Sequence, residues 1–331
     1  VTLSGGLKAT ITTAAGEKIV TRIDDEIVLD AAGKYETGKM AESESTELVF
    51  CGDNHVFVIN ASIVKDSYTE SIVWSLDAKT LSASIGLDAS RCDHLDDCKF
   101  IDNGHKLMLS SSYGWAAVLE YPSAKVLFST TQSGNAHSIE YIPGDFIAVA
   151  CSGATEGNYG QVQIYDMNRS NTILAHDGFA SAHGLVWDYK RNVLYAIAGQ
   201  SLRTYEISGL DSRKPELKLA KTVSTPYSGL HDLTRVDDDN LCVAGNHAYL
   251  YNIVTGKFDE MKRFSSSTAL KSVNYNSETG EVWYTDSTIP EGNETWSSHK
   301  IRYVSDRNSS GDDRIINVND IDMYKVRVKQ W

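Results

Sequence analysis

A short phrase returns at one point of a repeat along this chain, and it restricts the fold more than any other feature. It reads Asn135-Ala-His137-Ser-Ile-Glu-Tyr141, Ser181-Ala-His183-Gly-Leu-Val-Trp187 and Gly229-Leu-His231-Asp-Leu-Thr-Arg235. A related run, Leu95-Asp96-Asp97-Cys98-Lys99-Phe100, precedes them, and Ala269-Leu-Lys271-Ser-Val-Asn-Tyr275 follows. Steps of 41, 46, 48 and 40 residues separate Asp96, His137, His183, His231 and Lys271. A period of about 40–50 residues, with several short strands in each unit, is the signature of a β-propeller. A residue at one fixed place in every blade lies on a ring around the central axis. Here that ring carries Asp96, His137, His183, His231 and Lys271.

The strand signals agree. Short β-branched or aromatic runs alternate with Gly, Asn, Asp and Ser. One unit reads His137-Ser-Ile-Glu-Tyr, Phe146-Ile-Ala-Val-Ala-Cys151, Gln161-Val-Gln-Ile-Tyr165 and Thr172-Ile-Leu-Ala175, four strands as a blade requires. Units opening at His183 and His231 repeat the pattern, and residues 97–130 and 271–318 give two more. Glu47-Leu-Val-Phe-Cys51, Val56-Phe-Val-Ile59 and Ile72-Val-Trp-Ser-Leu76 give a sixth. The first 30 or so residues and the tail Asp322-Met-Tyr-Lys-Val-Arg327 remain. An open sheet edge invites aggregation, so the ends should meet. The expectation is an all-β, seven-bladed propeller spanning 1–331 as a single domain, closed by pairing of N- and C-terminal strands. Six blades is the alternative.

The formal net charge of −13 argues against nucleic acid or an anionic membrane as partner, since both need a basic footprint, though a local His, Lys and Arg cluster can still take an anionic substrate. No apolar run reaches the roughly 20 residues of a membrane span. The chain starts at Val1, and sequons occur at Asn60, Asn168, Asn293 and Asn308. These features suggest a secreted, extracellular glycoprotein, with nothing demanding more than a monomer. Of the five cysteines, Cys92 and Cys98 flank a polar loop and could close a disulfide. Cys51, Cys151 and Cys242 lie in apolar runs and read as small buried residues.

In a propeller the loop entering the inner strand and the loop between the second and third strands open on one face. The second set of loops brings His55, Tyr113-Gly114-Trp115, Tyr159, Arg203, His247 and Trp296 toward the ring. Three chemistries suit such a cluster. Imidazoles with Asp96 could hold a divalent ion. A His base with Arg or Lys beside it could remove a proton alpha to a carboxylate, because the developing enediolate needs positive charge. Aromatic rings and imidazoles could simply bind a sugar, with Trp115, Tyr159 and Trp296 as stacking surfaces. Nucleophilic catalysis has no Gly-x-Ser-x-Gly elbow, phosphate loop or dinucleotide fingerprint behind it.

The runs around His137, His183, Gln200-Ser-Leu-Arg203, His231, Gly245-Asn-His247 and Lys271 resemble secreted propeller proteins that include the L-rhamnose-α-1,4-D-glucuronate lyases acting on arabinogalactan and gum arabic. The resemblance runs from about Asp96 to Trp296. It implies seven blades over a central tunnel, with a structural cation such as calcium in it and no cofactor in the chemistry itself. It also implies β-elimination that frees terminal rhamnose and leaves an unsaturated uronate. His137, His183, His231 or His55 would be the base. Arg203, His247 and Lys271 would hold the carboxylate, with Asp96 and the aromatic residues at the substrate. A glycoside hydrolase on the same fold, a non-catalytic carbohydrate-binding propeller and a purely structural propeller are the alternatives.

Overall fold

The computed structural model describes residues 46–64, 67–131, 134–153, 160–289, 294–305 and 313–329, together with four N-terminal strands as backbone. The chain divides into two compact units, Val1–Thr46 and Glu47–Trp331. The first contains two antiparallel hairpins, Lys8–Thr12 with Lys18–Arg22 and Ile27–Leu29 with Tyr35–Thr37. The second is a ring of six four-stranded antiparallel sheets.

Each of the first five blades is a meander whose innermost strand comes first in sequence. Those inner strands are Leu95–Ile101, Ala136–Ile142, Ala182–Asp188, Asp232–Arg235 and Leu270–Tyr275. The sixth blade is composite. Its inner strand is the chain's last, Met323–Val328, and its other three are Glu47–Gly52, His55–Asn60 and Ile72–Asp77. Pairing runs Met323 to Gly52, Val326 to Phe50 and Val328 to Leu48. A Cβ on Gly52 would strike the Asp322 carbonyl, so only glycine lets the tail lie this close.

Seven blades are therefore corrected to six, and the reason is local. The set at 47–77 supplies only three strands, one short of a blade. The tail completes that blade, so none is left over for a seventh. The tail does close the ring by pairing with an earlier strand, but that strand is Glu47–Gly52 and not one from the first 30 or so residues.

Both faces of every blade are covered by its neighbours, and the core lies between blades. Period-2 alternation divides one strand between two interfaces. Leu48 and Phe50 pack toward Trp283, Ile301 and Ile316 of the fifth blade. Val49 and Cys51 pack toward Leu95, Leu107 and Trp115 of the first. Second strands are buried on both sides and so read as unbroken apolar runs. Phe146–Cys151 is buried at every position. One seven-residue α-helix, Lys79–Ile85, leads from the sixth blade to the first. It ends on Gly86 at φ 65°, a left-handed cap that glycine adopts without strain.

All five cysteines are buried free thiols, so the Cys92–Cys98 disulfide does not form. Both side chains belong to the apolar interface between the sixth and first blades.

Candidate functional site

A β-bulge begins the inner strand of nearly every blade. Register shifts fall between Leu95 and Asp97, Ala136 and Ser138, Ala182 and Gly184, Leu270 and Ser272, and Met323 and Lys325. In the fourth blade the His231 N–H donates to the Ala244 carbonyl, on the residue that Asp232 pairs with. The residue left over at each bulge is Asp96, His137, His183, Lys271 or Tyr324, with His231 at the matching place. A bulge re-aims a side chain that regular pleating would send between blades. It places these six residues together at the axial mouth.

The contacts close around the mouth. His137 and His183 stack with ring centres 4.2 Å apart, and His183 meets His231 edge-on at 5.2 Å. Lys271 Nζ lies 3.1 Å from His231 Nε2, and Tyr324 Oη lies 3.2 Å from His231 Nδ1. The Tyr324 ring sits 5.7 Å from that of His137. Asp96 Oδ2 lies 3.5 Å from His137 Nδ1 and accepts from the Ser112 hydroxyl.

Burial sets the protonation of this group. Desolvation, then the neighbouring His137 and His231, hold His183 well below the usual histidine value. Desolvation and the Lys271 ammonium do the same to His231. Burial also pushes Lys271 down to about 8, only partly offset by Asp286. Burial and Asp96 drive the Tyr324 phenol well up. His183 Nδ1 lies 2.7 Å from the Ser181 carbonyl, which can only accept. The proton of neutral His183 therefore sits on Nδ1 and its Nε2 lone pair is free. With Lys271 charged and donating to Nε2, His231 carries its proton on Nδ1 and donates to Tyr324.

The layer one residue deeper is different. The next positions are Asp97, Ser138, Gly184, Asp232, Ser272 and Lys325, and Arg327 follows on the closing strand. Arg327 spans the axis, 2.8 Å from Asp97 and 2.7 Å from Asp232. Lys325 Nζ donates to the His137 carbonyl at 2.9 Å and lies 3.5 Å from Asp232. Ser138 donates to Asp97 at 2.7 Å. Burial would raise Asp97, but Arg327, Lys325 and Lys99 outweigh it and hold the carboxyl far below the usual range. Gly184 is the exception to this polar layer, because a Cβ there would come within 2.9 Å of Leu233 and Ile197.

The residues on the axis do not suit a calcium ion. Its natural ligands, Asp97 and Asp232, already face a guanidinium and an ammonium from the closing strand. Among the described residues no group of three or more His, Cys, Asp or Glu side chains is arranged to hold a metal.

The ring members named from sequence, Asp96, His137, His183, His231 and Lys271, come together as expected. Other sequence candidates do not join them. Trp115 is fully buried between blades and donates to the Ser129 hydroxyl at 2.9 Å, so it offers no stacking face. Arg203 sits 4.0 Å over the Phe179 ring and pairs with Asp177 at 2.9 Å. His247 packs against Tyr227 with ring centres 4.2 Å apart and planes tilted by 35°. His55 lines a separate 280 Å³ cleft with Asp53, Asn54, Asp93, His94, Asp320 and Ile321. Trp296 packs against both His94 and Tyr324, which puts it at the edge of the mouth. Tyr159 lies outside the described residues, as do the sequons at Asn293 and Asn308.

Tyr324 was missed by the sequence reading. Its phrase, Met323-Tyr324-Lys325-Val326, has the same apolar, bulged, polar, apolar order as Leu270-Lys271-Ser272-Val273, and that order was the available signal.

Residues 23–295 match the family described as "Family of unknown function (DUF6528)". The chain belongs to this family. No curated protein matches it. Among solved structures, this chain is similar to a chain of "Crystal Structure of Mitotic Checkpoint Complex". The identity is 14%, over 83% of this chain and 76% of that one, with a TM-score of 0.51. At that identity the likeness is one of fold.

Proposed function

We propose that the axial mouth binds a carboxylate-bearing sugar and removes the proton alpha to that carboxylate, making the protein a uronate β-eliminating lyase. The observation that carries this reading is Lys271. It is only 5% exposed, sits beside the neutral His231 imidazole, and among the described residues has no carboxylate at ion-pair distance, Asp286 and Asp96 acting from further off. A buried ammonium without a counter-ion is costly unless a ligand supplies one.

In this reading the Lys271 ammonium faces the substrate carboxylate and steadies the enediolate as it forms. His183 is the base, because its Nε2 is the acceptor that the Ser181 carbonyl leaves free. It takes the C5 proton, the C4–C5 double bond forms, and the C4–O4 bond breaks. The leaving oxygen receives a proton from Tyr324, whose phenol stays protonated and is backed by His231. Trp296 packs on the sugar ring at the rim.

The substrate proposed first is terminal L-rhamnose on D-glucuronate, as in gum arabic and arabinogalactan, acted on by a secreted monomer. It rests on the order of motifs from Asp96 to Trp296, since the seven blades implied by the same resemblance are six here. Gum arabic incubated with the protein should release rhamnose while ultraviolet absorbance rises from the carboxylate conjugated to the new double bond. Rhamnose without the absorbance would mean hydrolysis. Saturable binding without either product would mean a binding module.

A further inference from the structure

Four Lys or Arg side chains are buried among the described residues: Lys271, Lys325, Arg327 and Lys329. Three have carboxylate partners. Lys325 lies 3.5 Å from Asp232, Arg327 2.7 Å from Asp232, and Lys329 2.6 Å from Glu47. Lys271 instead meets an imidazole, at 3.1 Å.

That difference has a chemical consequence. A carboxylate holds a lysine in its ammonium form and takes away its lone pair. A neutral imidazole does not hold the proton in that way. Among the described residues, the groups acting on Lys271 are His231 at contact, the Tyr324 ring 5.6 Å away, and Asp286, Asp96 and Lys325 at longer range. None of them is bonded to it as a carboxylate. His231 and His183 are half-buried, so solvent reaches the imidazole that touches the amine.

We infer that Lys271 is a nucleophilic amine that condenses with the carbonyl group of a small aldehyde or keto acid entering the mouth. The Lys271 ammonium gives its proton to solvent as pH nears 8, and the free amine, hydrogen-bonded to His231 Nε2, attacks the carbonyl carbon. The carbinolamine that forms takes up one proton from solvent and loses its hydroxyl as water, and a C=N bond joins Lys271 to the ligand. Addition of water reverses the step. Desolvation next to another cationic group is a known way to activate a lysine, and Lys325 supplies the second positive charge here. The inference does not rest on the elimination reaction, and a negative result with gum arabic leaves it standing.

The test uses the whole protein, with glycolaldehyde and pyruvate in separate incubations at pH 8 and cyanoborohydride present to reduce the C=N bond. Each adduct adds the mass of the carbonyl compound less one oxygen, and peptide mapping locates it. Lys271 should be labelled first, roughly 100-fold faster than surface lysines, because half of it is neutral at that pH while an ordinary lysine is almost wholly charged. Its rate should rise with a midpoint at about 8. Lys271→Arg should remove the fast adduct, and His231→Gln should slow it. The idea is overturned if the Lys271 peptide stays unlabelled, or labels no faster than surface lysines. The wild-type peptide map decides this even if the variants fail to fold.

Discussion

Two adjacent layers on one axis behave in opposite ways. In the deeper layer every buried charge is matched: Arg327 and Lys325 from the closing strand meet Asp97 and Asp232 from the first and fourth blades. In the layer above, one residue toward the mouth, Lys271 meets His231 at 3.1 Å and faces the Tyr324 ring at 5.6 Å. The deeper layer is a charged latch that ties the last strand to the neighbouring first blade and, across the axis, to the fourth. The outer layer holds Lys271 and Asp96 with no ion pair between them, and among the described residues no carboxylate lies at ion-pair distance from the Lys271 ammonium. Matched burial holds a fold together, whereas unmatched burial marks where a ligand completes the structure.

The largest effect is expected in the latch. Arg327→Met leaves Asp97 and Asp232 facing each other without their main counter-ion, and should cost about 3–5 kcal/mol of stability, read by denaturant unfolding. A loss below 1 kcal/mol would remove the latch from the comparison.

Next in size are the mouth residues, where the change should fall on activity. His183→Gln should lower kcat by about 10²–10⁴-fold with little change in Tm. Lys271→Met should lower kcat/KM by about 10²–10³-fold. Its Tm should stay level or rise, because an apolar side chain replaces an uncompensated ammonium.

The two layers also separate by pH. Asp97 is depressed in the folded state, so its contribution is complete above its unfolded value of about 3.9 and is lost as pH falls below it. Acid unfolding should therefore begin in the carboxylate range and should move when Asp97→Asn is tested. Lys271 is shifted down as well, but for a lysine a lowered value disfavours the charged form. Its folded value of about 8 lies below the unfolded one, so the cost of burying its charge is present in full below 8 and fades as pH rises. Activity should decline above about 8 as the ammonium is lost. The acid limb should lie below the ordinary histidine range, since His183 resists protonation. Smallest of all, His55→Ala should leave the mouth's kcat/KM within about twofold, because His55 lines a different cleft.

How much of this was legible follows from the repeat. His137, His183, His231 and Lys271 could be read because each opens a unit of even length, and position in a repeat translates directly into position on a ring. Tyr324 could not be read as easily. It lies 53 residues after Lys271, and its blade is divided between two distant parts of the chain. The same division produced the seventh blade. Trp115 and Arg203 were misplaced for another reason. Loop membership says which face a residue is near, while pleating decides whether its side chain enters the mouth, the interface or the outer surface. Trp115 is the first residue of a strand and turns inward between blades. The latch was invisible because Asp97, Asp232, Lys325 and Arg327 pair across 230 and 95 positions, and only the closed ring brings them together.

The most direct test of this contrast is glucuronate binding followed together with Tm in wild type and Lys271→Met. The expected result is binding weakened at least about tenfold, with Tm unchanged or higher. A lower Tm with glucuronate binding intact would contradict it, and would make the imidazole ring a brace between blades rather than a site.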